Sequence, residues 1–194
     1  MSQIALPLDE LRGGASSSLI ITDSNATAFA GLASGASWAK RCAILIGPAR
    51  SGKSLMARYF SEQGGTVIDD AETTPAETLF NAWNRAQDTN VPLLLISRWL
   101  PGEWNIVLPD LQSRLGAALI FEIAAPDDEM IEQLLQKQLA ERGAAISIDA
   151  LRYVKRRIER SYAAIEKFAR AANAVALAEN APVNLALVKK VLEL

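Results

Sequence analysis

Gly47-Pro48-Ala49-Arg50-Ser51-Gly52-Lys53-Ser54 decides how the rest of this chain is read. The octet satisfies the spacing GxxxxGK(S/T), and its flanks supply the strand-before, helix-after context that the spacing needs. Upstream, Arg41-Cys-Ala-Ile-Leu-Ile46 is short, apolar and closed by Gly47-Pro48, the mark of a buried strand. Downstream, residues 53–63 read as a helix that Gly64-Gly65 stops. The two glycines of the octet let the backbone curl so that amide N–H groups face phosphate oxygens, and the helix start adds partial positive charge. Lys53 would then reach the β and γ phosphates, and Ser54 would ligate Mg2+. Gly47, Pro48, Ala49, Arg50, Ser51, Gly52, Lys53 and Ser54 are therefore the expected seat of ATP or ADP. The alternative is a glycine-bearing turn that matches by chance.

Working outward, Thr66-Val67-Ile68 is a second short strand ending at Asp69 and Asp70, and residues 75–87 have helical spacing with Leu79, Phe80 and Trp83 inward. Val91 to Ile96 and Ala117 to Ile123 supply two more strands. Strand, helix, strand alternation argues an α/β fold with a parallel sheet covered by helices on both faces. Before the octet, Leu19-Ile20-Ile21 is extended, and Ser24-Asn25 offers cap chemistry to a helix running to about Ala33. From Pro126 the composition shifts to helix formers, predicting helices at about 127–142, 149–158, 161–179 and 184–193. The expected organisation is an arm at 1–12, an α/β nucleotide-binding core at 13–125 and a helical lid at 126–194.

A phosphate-loop enzyme needs a carboxylate at a neighbouring strand end to hold Mg2+ through water and a second acid to orient the attacking water. Asp69 is assigned to the metal and Asp70 to the water; the alternative is an Asp-rich turn capping the next helix. Half of the 194 residues are apolar, 22% are charged and the net charge is −2, an ordinary globular composition with no excess of cations for gripping bare DNA. One cysteine, Cys42, excludes an intramolecular disulfide, and the absence of histidine excludes His-based dyads and metal sites. Cys42 lies inside an apolar strand and reads as a small core residue. The longest apolar runs fall far short of the roughly 20 residues that span a bilayer, so no membrane anchor is expected. No basic n-region precedes an apolar run at the N-terminus, so a cytoplasmic location is the expectation.

Thr22-Asp-Ser-Asn25, the octet, Ile68-Asp69-Asp70 and Leu108-Pro-Asp-Leu-Gln-Ser-Arg-Leu115 together resemble the DnaA-related AAA+ family, and within it the short Hda-type regulatory inactivators of DnaA. The likeness runs over nearly the whole length. It implies that Arg114 is a finger reaching into a neighbouring subunit's ATP site, where a trans guanidinium stabilises charge developing on the γ-phosphoryl. The alternative is a surface arginine paired with Asp110. It also implies that Ser97, at a strand end, touches the γ-phosphate or the water, against a plain strand-end serine. Gln3-Ile-Ala-Leu6-Pro7-Leu8 matches the family's sliding-clamp-binding peptide. Leu6 and Leu8 would fill an apolar pocket, Gln3 would hydrogen bond at the rim, and Pro7 would limit the entropy lost on docking. A strand that tethers the domain is the rival reading of that segment. The implied partners are the clamp and the DnaA AAA+ domain, without strong direct DNA binding; a homodimer stays open.

The sequence departs from the family pattern in three places. Aligning the lid's second sensor motif puts Ala163 where an arginine is usual, with Arg157 and Arg160 as candidate substitutes, so intrinsic ATP hydrolysis is expected to be weak. Only fourteen residues separate Ser54 from Asp69, too few for the usual intervening strand and helix. The family's parallel order 5-1-4-3-2 should therefore shrink to 5-1-4-3, with the Asp69 strand as the new edge; five parallel strands would contradict this. The third departure is that the helix-turn-helix of DnaA is not expected after the lid. The expected function is a clamp-tethered regulator of replication initiation that stimulates hydrolysis of DnaA-bound ATP. The alternatives are a nucleotide-gated adaptor without a catalytic arginine and a stand-alone ATPase of helicase-loader type.

Overall fold

Strand alternation in the apolar runs places one residue up and the next down, and here both faces of the central strands are covered. The computed structural model describes residues 19–193. Among them four strands, β1 (Cys42–Ile46), β2 (Thr66–Ile68), β3 (Leu93–Ser97) and β4 (Leu119–Glu122), form one parallel sheet ordered β2-β3-β1-β4. Every residue of β1 and β3 is buried, whereas β2 and β4 form the edges. The sheet is the truncated order expected from the short spacing after Ser54: β4, β1, β3 and β2 stand for 5, 1, 4 and 3, and the Asp69 strand is the edge. On one face Cys42, Ile44 and Ile46 pack with Leu93 and Leu95 against α3 (Ala76–Thr89) and α4 (Pro109–Gly116), through Leu79, Ala86, Leu111 and Leu115. The residues between them, Ala43, Leu45, Leu94 and Ile96, are equally buried on the other face, and α2 (Lys53–Glu62) lies beside β2 and β3.

The chain divides into two compact units. The sheet unit contains Thr27–Gly47 and Gly52–Ile123; the helical unit contains Ile20–Ala26, Pro48–Ser51 and residues 124–193. The two short insertions, 20–26 and 48–51, were read from the sequence as part of the α/β core, which ended there at 125.

Boundaries shift where local backbone chemistry intervenes. Arg41 adopts φ 48 and so stands outside β1. Pro92 has no N–H to give a ladder, and β3 begins at Leu93 and runs one residue beyond the expected end, to Ser97. The segment around Arg114 was read only as a motif; it is the helix α4, with Pro109 in its first turn, and that helix delays β4 to Leu119. Leu119 and Ile120 are exposed because their strand is an edge. Asn25 turns its side chain backward, accepting from Thr22 N–H and donating to the Ile20 carbonyl, so the expected cap of α1 (Ala26–Ala33) is a brace for the preceding turn. Gly31 sits within α1 for a packing reason: a Cβ there would lie 2.2 Å from the Phe121 ring.

In the helical unit, α5 (Asp128–Ala140), α6 (Ile148–Lys155), α7 (Tyr162–Glu179) and α8 (Leu185–Leu192) surround one apolar core that includes Leu135, Leu139, Val154, Ile165, Phe168 and Val188. Each helix starts on a side-chain cap: Asp127, Ser147, Ser161 and Asn184 accept from the amides of Met130, Ala150, Ala164 and Leu187. Such caps satisfy donors that the helix itself leaves open. Asp127 does more, because its other carboxylate oxygen accepts from Thr22 Oγ1 at 2.7 Å and Ser24 N at 2.9 Å. Burial pushes this carboxyl up, but the bonds from the Thr22 hydroxyl and the Met130, Ser24 and Glu129 amides outweigh it and hold the group below its ordinary value. None of the helices among the described residues is long and apolar enough to cross a membrane.

Candidate functional site

The parallel register brings three sequence-predicted features to one end of the sheet unit. Ile46 pairs with Ser97 and Ile68 pairs with Leu95, so Gly47, Ser97 and Asp69 all emerge at the carboxyl ends of adjacent strands. That edge is where open parallel sheets place their ligands. The octet leaves β1 at Gly47, turns through Arg50 at φ 67 and Gly52 at φ 90, and enters α2 with Gly52 as the N-cap. The Gly52 carbonyl accepts from Leu55 and Met56, which starts the helix ladder at once. Amides at the start of α2 therefore carry the partial positive charge an anion needs.

Lys53 donates to the Gly47 carbonyl at 2.7 Å, closing the loop's two ends together. Burial first, and then the positive charge of Arg98, lower the pKa of its ammonium; Asp69, Glu72 and Asp70 act in the opposite direction. These five side chains thus share one electrostatic neighbourhood. Ser54 is exposed on the first turn of α2, and Asp69 and Asp70 are exposed beyond β2. Asp70 takes φ 48, its amide donates to Asp69 Oδ1, and its carbonyl accepts from Thr73 Oγ1, so the pair makes a turn ahead of α3. Ser97 is buried, and its hydroxyl both donates to the Trp99 carbonyl and accepts the Trp99 amide, each at 2.9 Å.

A phosphate or Mg2+ has to be matched by donors and ligands already in place. Ser51 Oγ is buried with no hydrogen-bond partner, an orphaned hydroxyl inside the octet. Buried polar atoms are nearly always satisfied, which sets this hydroxyl apart. Ser54 and Asp69 supply hard oxygen ligands of the kind Mg2+ takes with phosphates and water. Among the described residues no three His, Cys, Asp or Glu side chains are arranged so that they alone could hold a metal ion.

Arg114 lies on α4 with its guanidinium enclosed. Nε donates to Asp110 Oδ1 at 3.0 Å, NH2 pairs with Asp110 Oδ2 at 2.7 Å and NH1 donates to Asn84 Oδ1 at 2.6 Å. The planar group also lies over Phe80 at 4.5 Å and Trp83 at 4.3 Å from the ring centroids. The pairing with Asp110, named above as the alternative to a finger role, is present, and α3 adds an aromatic and amide cage without a sign in the sequence. In the helical unit Ala163 is exposed in the first turn of α7. Arg157 stacks on Tyr153 and Arg160 pairs with Asp128. Gln3, Leu6, Pro7 and Leu8 lie outside the described residues.

Sequence reasoning missed Glu72, Arg98 and Glu166. Glu72 follows the Asp69-Asp70 turn, accepts the Arg98 amide on one oxygen, and leaves the other buried without a partner. Glu166 binds Arg50 from α7. None has a local pattern; only folding brings them to the loop.

The architecture is that of an α/β AAA+ domain fold, with the octet at the carboxyl edge of a four-stranded parallel sheet. No family model matches the chain. Among solved structures it is similar to domain III of the replication initiation protein DnaA from Thermotoga maritima, with a TM-score of 0.72 and 15% identity over 90% of this chain and 93% of that one. It is also similar to a replication initiator DnaA bound to AMPPCP and single-stranded DNA, with a TM-score of 0.63 and 14% identity, covering 78% of this chain and 62% of that one. The Thermotoga maritima RuvB Holliday junction branch migration motor matches with a TM-score of 0.57 and 14% identity over 78% of this chain and 60% of that one. At these identities the likeness is one of fold. The chain spans nearly all of the isolated DnaA domain but under two thirds of the longer DnaA and RuvB chains.

Proposed function

We propose that this chain is a nucleotide-binding regulator of replication initiation, related to DnaA and of the Hda type. In this reading it binds the sliding clamp through Gln3, Leu6, Pro7 and Leu8 and stimulates hydrolysis of ATP held by DnaA. The observation that carries the nucleotide-binding part is the octet's geometry: a glycine N-cap on α2, Lys53 drawn to the loop and a buried Ser51 hydroxyl without a partner. The match to DnaA domain III across 93% of that domain supports the link to replication.

Residues 47–54 would orient the phosphates and Lys53 would answer their charge, while Ser54 would ligate Mg2+ and Asp69 would hold it through water. Bound Mg2+ supplies charge neutralisation at the β and γ phosphates. Asp70 orients the water, and Ser97 stiffens the strand end beside it. Arg114 acts on the partner's nucleotide, where two of its five N–H donors stay uncommitted by the bonds to Asp110 and Asn84. The clamp arm raises the local concentration of the regulator on replicating DNA, which lets a weak contact with DnaA suffice.

The enclosure of Arg114 favours a second reading, a nucleotide-gated adaptor that joins clamp and DnaA-like partners without lending a catalytic arginine. Turnover of DnaA-bound ATP with DNA-loaded clamp separates the two, comparing wild type, Arg114→Ala and Leu6→Ala/Leu8→Ala. Loss of stimulation in both variants supports the arginine-donating regulator. Stimulation that survives Arg114→Ala supports the adaptor, and no stimulation by wild type rejects both as regulators of DnaA.

A further inference from the structure

We infer that Glu166 is a positioning residue for the phosphate loop: its ion pair with Arg50 holds the loop tip in a left-handed backbone conformation that a residue with a side chain resists. The inference deepens the nucleotide-binding reading above and rests on it for the identity of the ligand. Arg50 has φ 67, and the other left-handed position of the octet, Gly52 at φ 90, is a glycine that takes it without steric cost. For an L-residue with a Cβ, that region is disfavoured by roughly fivefold to thirtyfold. The turn's own backbone contributes little against this bias, since the Ser51 N to Pro48 O bond is long at 3.4 Å.

What holds the tip comes from α7. Arg50 NH1 lies 2.9 Å from Glu166 Oε1 and 2.8 Å from Oε2. Arg170, one turn further along α7, donates to the same Glu166 Oε1 at 2.6 Å and helps fix the carboxylate. Glu166 is 19% exposed while Arg50 is 59% exposed, so the anchored partner is the carboxylate and the mobile one is the loop arginine. The helix carrying it is rigid: Tyr162, Ile165, Phe168, Ala169 and Ala172 of α7 are buried. Arg50 and Glu166 belong to the same compact unit, which contains Pro48–Ser51 together with α7. A carboxylate on a fixed helix thus selects the one loop conformer in which the neighbouring amides and Ser51 are arrayed for phosphate. The exposure of Arg50 keeps the pair's worth small, near the upper end for a partly exposed ion pair, so its effect on ligand affinity is about fivefold.

The test uses the full chain and a fluorescent ADP analogue, titrated in the presence of Mg2+ against wild type, Glu166→Gln, Arg50→Gly and the double variant. Glu166→Gln should weaken binding about fivefold. Whatever Arg50→Gly does by itself, the Glu166→Gln step should vanish in that background, because glycine takes the left-handed conformation unaided. No change from Glu166→Gln in the wild-type background, or the same loss in both backgrounds, overturns the inference. Hydrogen exchange of the amides of residues 49–52 without nucleotide supplies a readout independent of the ligand. Faster exchange in Glu166→Gln, with the far-ultraviolet melting curve unchanged, supports the inference; unchanged exchange overturns it. If wild type binds no ADP, the nucleotide-binding reading fails while the exchange result still decides the role of Glu166.

Discussion

Replacing Asp127 with alanine removes three hydrogen bonds at one carboxylate and should destabilise the helical unit by about 3 kcal/mol. The N-cap bond to Met130 N is worth about 1 kcal/mol. The bonds from Thr22 Oγ1 and Ser24 N reach an ionised acceptor, and losing them leaves the Ser24 amide short of a partner and the Thr22 hydroxyl with Ser24 Oγ alone, which adds roughly 2 kcal/mol. Asp127→Asn keeps one acceptor oxygen and loses the charge, so it should cost about half as much. Urea unfolding followed by circular dichroism measures both variants, and a loss of about 3 kcal/mol corresponds to a fall of roughly 9 °C in melting temperature. The sign of the pH dependence follows from the lowered pKa. The folded carboxyl titrates below its unfolded counterpart, so the contribution is complete above the ordinary aspartate range near 4 and fades as pH falls through the lower folded value. The wild-type advantage over Asp127→Ala should therefore be level between pH 6 and 8 and narrow under acid. A difference under about 0.5 kcal/mol at pH 7, or an advantage that grows on acidification, would refute the reasoning.

Gly65→Ala should cost about 1–3 kcal/mol, since its Cβ would fall 2.1 Å from the Phe60 ring, which is buried and stacked on Trp38; a neutral result in urea unfolding would show that the ring can move aside. Burial pushes the Cys42 thiol up to about 12, so iodoacetamide at pH 8 should label the native chain far more slowly than the urea-unfolded one, and equal labelling rates would contradict a closed core around β1. Arg114→Ala should cost about 2 kcal/mol of stability from the lost bonds to Asp110 and Asn84 and the stacking on Phe80 and Trp83. Its assay on DnaA-bound ATP therefore belongs at a temperature where the variant is shown to be folded, and a loss under about 0.5 kcal/mol would mean that the cage holds Arg114 only loosely.

The sequence by itself determined the sheet and the octet, because both are written in local chemistry. Short apolar runs mark β1 and β3 wherever they pack, the first closed by Gly47-Pro48, and a spacing too short for a strand and a helix removes a strand whatever the rest of the chain does. The helices from 127 onward were legible from the shift in composition toward helix formers after Pro126, and the caps Asp127, Ser147, Ser161 and Asn184 that start them came with the structure. Helix α4 was overlooked because its eight residues are too few to show an apolar period against the motif they carry. The tertiary structure alone decided the surroundings of the charged groups. Arg114 meets Asp110 through helical spacing, a pairing visible in sequence, but Asn84, Phe80 and Trp83 reach it from another helix. Glu166 stands 116 residues from Arg50, and Thr22 stands 105 from Asp127. Hydrogen bonds and ion pairs act over a few ångströms and leave no period along the chain, so partners this distant in sequence become visible only once the fold has carried them together.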